Sequence, residues 1–184
     1  KYGDDLRQDQ LILQMFNYMD KLLKNAHLDF EFTTYHVLAT SKSDGFVEFV
    51  PNSTTIFDIL KKYNKEITPF LKECANQNNE DFNKFLSSFV NSSAGYCVVT
   101  YLLGIGDRHL ENLLIDQTGK LFHIDFGYIL GKDPKPYPPP MKLSKEMVDC
   151  MGGTESENFK TANSNGQKES ISKEDEKKMM QIIS

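Results

Sequence analysis

Residues 104–131 read GIGDRHLENLLIDQTGKLFHIDFGYILG. Two short apolar runs, Leu113-Leu114-Ile115 and Leu121-Phe122-His123-Ile124, flank Asp116-Gln117-Thr118-Gly119-Lys120. Turn formers between two apolar runs predict a β-hairpin. Asp107, Arg108, His109 and Asn112 stand just before the first strand, and Asp125, Phe126 and Gly127 just after the second. A hairpin brings its two outer ends together, so carboxylates, an imidazole and an amide meet at one edge. Upstream, residues 96–103 are almost wholly apolar and predict a buried helix, with Gly104 at the usual stop position. The loop that follows therefore hangs from a buried helix, the kind of anchor that holds functional groups to a fraction of an ångström.

The residue types suit metal-assisted phosphoryl transfer. Magnesium prefers hard oxygen ligands and keeps several waters, so one carboxylate and one amide oxygen are a typical protein share. Asp125 and Asn112 offer that pair. An attacking hydroxyl needs a group that takes or orients its proton, and Asp107 and His109 are both candidates. Spacing favours Asp107, whereas the His109 imidazole titrates nearer neutrality. The plain alternative, a capped hairpin with surface charges, requires many site-type residues to converge by chance. Protein kinases carry an HRD loop followed by DFG. Here the triplet is inverted to DRH, yet Asp107 precedes Asn112 by the same step and HIDFG follows. Arg108 reads as a structural cation. His123, inside an apolar strand, reads as a satisfied structural histidine, and His27 and His36 as surface or packing residues.

GDRHxxN with HIDFG resembles the phosphatidylinositol 3- and 4-kinases and their large protein-kinase relatives, and so does the opening KYGDDLRQDQLILQ. The segment DFGYILGKDPKPYPPPMKLSKEM more narrowly resembles the class III phosphatidylinositol 3-kinases, which act on unphosphorylated phosphatidylinositol. The resemblance covers residues 1–159. It implies an α+β, protein-kinase-like bilobal fold: part of the small lobe at 1–47, a hinge at 48–50 and the large lobe at 51–159. The catalytic loop would be 104–112 and the activation segment 125–143. The implied reaction moves the γ-phosphoryl of ATP to the 3-hydroxyl of phosphatidylinositol, with magnesium or manganese.

The resemblance also implies roles by position. Lys1 falls at the ATP-phosphate lysine, and Asp9 at an acidic residue lining the deep nucleotide pocket, near enough to hold that lysine. Tyr35 falls in the inner pocket, Ile124 beside it, and Glu48, Phe49 and Val50 at the hinge whose backbone meets adenine. Lys132, Lys135 and Lys142 fall in the segment that recognises the headgroup. They are fewer than the cations relatives place there for phosphorylated headgroups, which suits a single phosphodiester. The implied partners are membrane phosphatidylinositol and a kinase-like regulatory subunit, and the implied setting is cytoplasmic. The chain would act peripherally on endosomal, vacuolar or autophagic membranes, in trafficking and autophagy. Rival readings are a protein kinase of the phosphatidylinositol-kinase-like group and a non-catalytic scaffold. Lys1 opens the chain at a strand-to-helix junction, so a fragment is expected, with a poorly anchored Lys1 and little activity alone.

The remaining chain is of ordinary globular composition. Its 184 residues carry a formal net charge of −5, which argues against broad nucleic-acid binding and leaves any membrane contact to a local patch. Three cysteines without metal spacing suit reduced thiols. Asp4 and Asp5 precede a helical run through Leu11, Ile12, Met15, Phe16, Met19, Leu22 and Leu23. Residues 35–39 and 46–50 predict strands about a turn at Ser43-Asp44-Gly45. Ser53 and Thr54 are expected to cap a helix through Ile56, Phe57, Ile59 and Leu60. Residues 61–80 read as a surface loop with some helix. Asp81 starts a periodic run weakened at Ser92, Ser93 and Gly95. The prolines after Gly131 predict an extended path. Ser144 is expected to cap a short helix closed by Gly152 and Gly153. Residues 160–184 have a disordered-type composition, as an insertion or tail.

Overall fold

Apolar residues at helical spacing, Ile12, Leu13, Phe16 and Met19, become the buried stripe of α1 (Arg7–Asn25). The computed structural model describes residues 1–137, 143–154 and 156. It continues with β1 (Val37–Ala39), β2 (Gly45–Val47), β3 (Ser53–Thr55), α2 (Ile56–Lys62), α3 (Thr68–Asn78) and α4 (Phe82–Leu102). Then come β4 (Leu113–Asp116), β5 (Leu121–His123) and α5 (Lys145–Cys150). Helix and strand are mixed, as expected. Lys142 and the polar stretch 160–184 lie outside the described residues.

β1 and β2 form a two-stranded antiparallel sheet, and β3, β4 and β5 a second sheet in that spatial order. The predicted hairpin is β4–β5. Its turn is held by Asp116, whose Oδ1 accepts from the amides of Thr118 at 2.8 Å and Lys120 at 3.1 Å. Alternation along the strands sends side chains to opposite faces. Leu113, Ile115 and Leu121 join an apolar cluster with Ile59, Leu71 and Met147. Leu114 and Phe122 join another with Ile12, Phe16 and Tyr35. α4 serves both clusters, the first through Phe89 and Val90 and the second through Tyr96 and Val99. The hairpin is thus buried on both faces.

Several local expectations need correction. Ser53 and Thr54 do not cap α2. They lie in β3, which pairs Ser53 with Asp116 and Thr55 with Leu114. The cap is Thr55, whose Oγ1 accepts from the Asp58 amide at 3.0 Å. Residues 61–80 are more than a surface loop, because α3 buries Leu71, Cys74 and Ala75 at i, i+3 and i+4. α4 runs unbroken through Ser92, Ser93 and Gly95. Ser92 Oγ donates to the Ser88 carbonyl at 2.6 Å and accepts from the Leu121 amide at 2.9 Å, so it serves the edge of β5. A Cβ on Gly95 would stand 2.6 Å from Phe30 Cβ, so glycine there lets the segment before β1 lie on the helix.

At the start of α1 the N-cap position is Leu6 and the acid in the first turn is Asp9. Asp5 accepts the amide of Arg7, the first helical residue, at 3.1 Å and pairs with its guanidinium, whereas Asp4 pairs with Lys1. The first hairpin is shorter than predicted, because the Glu48 carboxylate accepts the His36 amide at 2.8 Å where a backbone partner was expected. Asp81 and Ser144 do cap α4 and α5, accepting from the amides of Asn83 and Met147.

Candidate active site

The site begins where α4 stops. Gly104 adopts φ +54°, its amide donates to the Tyr101 carbonyl at 3.1 Å, and the Ile105 amide reaches back to Thr100 at 2.9 Å. This pair of bonds is a Schellman ending. The loop that leaves it carries Asp107, Arg108, His109 and Asn112 to the start of β4.

Arg108 joins that loop to the far end of the hairpin. Its guanidinium donates to the carbonyls of Gly106 at 2.7 Å, Ile124 at 2.7 Å, and Asp125. It also lies over the Phe126 ring, 5.4 Å from the centroid. Asn112 is buried. Its Nδ2 donates to the Asp107 carbonyl at 3.0 Å, and its own carbonyl accepts from the Ile124 amide at 3.1 Å. Asp107 and Asp125 both occupy the left-handed region, at φ +53° and +60°. For a non-glycine residue this costs about 1–3 kcal/mol and persists only where the surroundings over-determine it. Here the surroundings do so: Asp107 is gripped at both its amide and its carbonyl, and Asp125 at its carbonyl and carboxylate.

The charges around Asp125 come from two elements. Lys1 Nζ stands 3.3 Å from Asp125 Oδ2 and 2.9 Å from Asp4 Oδ2. Burial alone lowers the Lys1 pKa, but its bonds to Asp4 and Asp125 more than offset this and raise it. The expectation of a loosely held Lys1 is corrected, since its terminal nitrogen donates to the Gly45 carbonyl at 2.9 Å and its carbonyl accepts from Gly45 at 3.1 Å. Asp9 is buried and does not hold that lysine. Its Oδ1 accepts from the Phe126 amide at 3.0 Å, so it fixes the backbone directly after Asp125. Burial raises the Asp9 pKa, with the Phe126 bond opposing. Tyr35 is buried against Phe122, and burial raises its hydroxyl pKa, reinforced by the charge of Asp9.

His109 is more open than its neighbour Asp107. Its Nε2 lies 3.8 Å from Asp107 Oδ2 and its Nδ1 3.8 Å from Glu111 Oε2, beyond hydrogen-bond range. His123 stacks on Tyr96, centroids 4.6 Å apart at 9°. It is structural but not fully satisfied, because its buried Nδ1 lacks a hydrogen-bond partner among the described residues. Burial, aided by the positive charge of Arg108, holds its pKa well below the ordinary value, so the ring is neutral.

The hinge residues are placed by other bonds. The Glu48 amide donates to the His36 carbonyl at 2.8 Å, and the Glu48 carboxylate lies 2.6 Å from His36 Nδ1. Phe49 is exposed, and the Val50 carbonyl accepts from Ser53 Oγ at 2.8 Å. Val50 and Ile124 flank the same apolar cluster as Tyr35. Lys132 and Lys135 are exposed on the segment that follows. Two participants escaped the sequence reading: Asp4, the second partner of Lys1, and Asp133, whose Oδ2 accepts from the Asp107 amide at 3.2 Å. The Asp-Pro-Lys turn was the available signal for Asp133.

The donor set fits magnesium. Asn112 commits its Nδ2 to Asp107, which leaves its side-chain oxygen as an acceptor, and the Asp125 carboxylate is half-exposed. Among the described residues no group of three or more His, Cys, Asp or Glu side chains forms a closed cage. A two-donor share completed by water and phosphate is what this ion accepts.

The model of the phosphatidylinositol 3- and 4-kinase family matches residues 1–77 and 68–169. The chain is 52% identical over 162 residues to a phosphatidylinositol 3-kinase root isoform of Glycine max and to the phosphatidylinositol 3-kinase VPS34 of Arabidopsis thaliana. Both matches cover 86% of this chain and 20% of the relative. It is 50% identical over 162 residues to the phosphatidylinositol 3-kinase VPS34 of Saccharomyces cerevisiae, with 86% and 18% covered. The chain thus spans about a fifth of the length of the curated relatives it matches.

Proposed function

We propose that this chain, which belongs to the phosphatidylinositol 3- and 4-kinase family, carries the phosphotransfer site of a lipid kinase that uses ATP to phosphorylate the 3-hydroxyl of phosphatidylinositol. The observation that carries this reading is the way Arg108 and Asn112 bind the loop of Asp107 to the strand end of Asp125. Phosphoryl transfer asks little covalent chemistry of a protein and much positioning.

Asp125 and Asn112 would hold the magnesium, or manganese, which supplies charge neutralisation at the phosphate oxygens when bound. Lys1 faces the same space and adds a compact cation for phosphate. Asp107 is the better placed acceptor for the hydroxyl proton, because its backbone is fixed at both ends while His109 stands open to solvent. His109 then assists from 3.8 Å away. Tyr35, Ile124 and the backbone at Glu48–Val50 would wall the nucleotide, with Asp9 holding the turn after Asp125. Lys132, Lys135 and Lys142 would meet the single phosphodiester of the headgroup. In the two-lobed arrangement this implies, residues 1–47 belong to a small lobe, 48–50 to a hinge and 51–159 to a large lobe.

No helix among the described residues is long and apolar enough to cross a membrane, so membrane contact would be peripheral. A kinase-like regulatory subunit and an endosomal, vacuolar or autophagic surface complete the proposal on the strength of the family resemblance. The test is phosphate transfer from ATP by the intact protein to phosphatidylinositol, to its phosphorylated forms and to a generic protein. We expect transfer to unphosphorylated phosphatidylinositol, abolished by Asp125→Ala. Transfer to phosphorylated lipid or to protein instead would overturn the assignment of substrate, and no transfer at all would overturn the enzyme.

A further inference from the structure

The loop of Asp107 is joined to a second partner besides the hairpin. Residues 128–133 run along residues 103–107 and are tied to them repeatedly. The Gly106 amide donates to the Tyr128 carbonyl at 2.8 Å, Leu130 to Leu103 at 3.0 Å, and Gly131 to Gly104 at 2.8 Å. The two stretches touch closely enough that a Cβ on Gly106 would stand 2.2 Å from the Lys132 carbonyl oxygen. A glycine is required there for the backbones to meet.

Asp133 ends this run with both carboxylate oxygens engaged. Its Oδ2 accepts from the Asp107 amide at 3.2 Å, and its Oδ1 accepts from the Lys135 amide at 2.8 Å. The first bond grips a residue held in the left-handed region, at φ +53°. The second makes the Asx-type turn from which Lys135 projects. One side chain therefore spans from the proton-accepting loop to the headgroup-facing segment.

We propose that Asp133 is a positioning residue that keeps Asp107 and the Lys135 turn in register, through one oxygen on each. The proposal rests on the lipid-kinase reading and deepens it: the segment that meets the headgroup also sets the backbone of the group that meets the hydroxyl. Loss of the bridge frees Asp107 to relax from its left-handed conformation and loosens the turn, so turnover and lipid affinity suffer while nucleotide binding does not.

The experiment uses the intact protein with Asp133→Ala and Asp133→Asn. Steady-state kinetics are measured separately against ATP and against vesicles containing phosphatidylinositol, with rates normalised to the nucleotide-binding fraction. Hydrogen exchange at the Asp107 amide is followed in parallel. For Asp133→Ala we expect kcat to fall tenfold or more, KM for lipid to rise several-fold, KM for ATP to stay within twofold, and the Asp107 amide to exchange faster. Asn has a single carbonyl oxygen in place of two carboxylate oxygens, so Asp133→Asn restores part of the loss and falls between. Wild-type kinetics in Asp133→Ala, or a loss that appears equally in both KM values and is not eased by Asn, overturns the positioning role. If wild type shows no lipid phosphorylation, the lipid-kinase reading fails. The exchange rate then decides the bridge on its own, because unchanged protection in Asp133→Ala refutes it.

Discussion

β1–β2 and β4–β5 are both antiparallel hairpins, yet they differ in what surrounds them. β4–β5 is buried on both faces, with Leu121 and Phe122 fully inaccessible, and a third strand pairs along β4. β1–β2 leaves its cross-strand partners Leu38 and Phe46 at 58% and 71% exposure. Each outer end of β4–β5 leads into the candidate site, and side chains from α1 and the loop of Arg108 hold those ends. The outer end of β1–β2 leads to Glu48–Val50, which would contribute only backbone. A strand end that positions charged side chains is thus fixed from several directions, whereas one that offers backbone groups is held by its own ladder, the Glu48 carboxylate and the Ser53 hydroxyl.

The largest contrast should come from truncating one aromatic in each hairpin. Phe122→Ala removes a fully buried ring and should cost about 3–5 kcal/mol in urea unfolding, against about 0.5 kcal/mol or less for Phe46→Ala. Equal losses in the intact protein would break the comparison, by showing that β1–β2 is covered too. Arg108→Lys comes next. A lysine cannot serve three carbonyls in a fixed fork, and leaving them poorly bonded should cost about 2–3 kcal/mol. Activity should fall with it, while the same change at exposed Arg7 should leave the transfer rate intact.

Gly119→Ala sharpens the contrast at the turn. Gly119 holds φ +85°, and a Cβ there would stand 2.8 Å from the Phe85 carbonyl oxygen. The substitution should cost about 1–3 kcal/mol, read from the unfolding midpoint. Unchanged stability would mean that the hairpin is less tightly held to α4 than described.

The smallest effect concerns pH. Burial holds the Asp9 carboxyl above the ordinary aspartate range. Folding therefore favours its protonated form, and that contribution is full below the ordinary value and lost as pH rises through the folded one. Asp9→Asn keeps an oxygen for the Phe126 amide and removes the buried charge, so its Tm should exceed wild type at neutral pH. The advantage should vanish in acid below about pH 4, the unperturbed aspartate range. A Tm difference that does not change with pH would assign the effect to packing instead.

Much of this arrangement was legible along the chain. The period of α1, the turn chemistry of Asp116 and Gly119, the stop at Gly104 and the caps at Asp81 and Ser144 are short-range features, written within one or two turns of chain. The candidate site was legible for the same reason, since a hairpin must bring the residues before β4 beside those after β5. What escaped was either non-local or polar in pattern. β3 is three polar residues whose only warrant is the edge of β4, some 60 residues on. α3 looked like a loop because its few buried residues are spread through polar sequence. The serines and glycine of α4 weakened a helix that packing against Phe30 and Leu121 sustains.

The sequence by itself determined the locally written elements such as α1, the β4–β5 hairpin and the set of residues that meet at its open end, because periodicity and turn preference act over a few residues. Only the tertiary structure decided how those residues are held. Asp9 serves the Phe126 amide rather than Lys1, Lys1 divides itself between Asp4 and Asp125, and Asp133 reaches the Asp107 amide. A single hydrogen bond between residues distant in the chain leaves no period or composition to read. It exists because buried backbone groups must find partners, and the partner is whichever side chain the packed fold brings within about 3 Å.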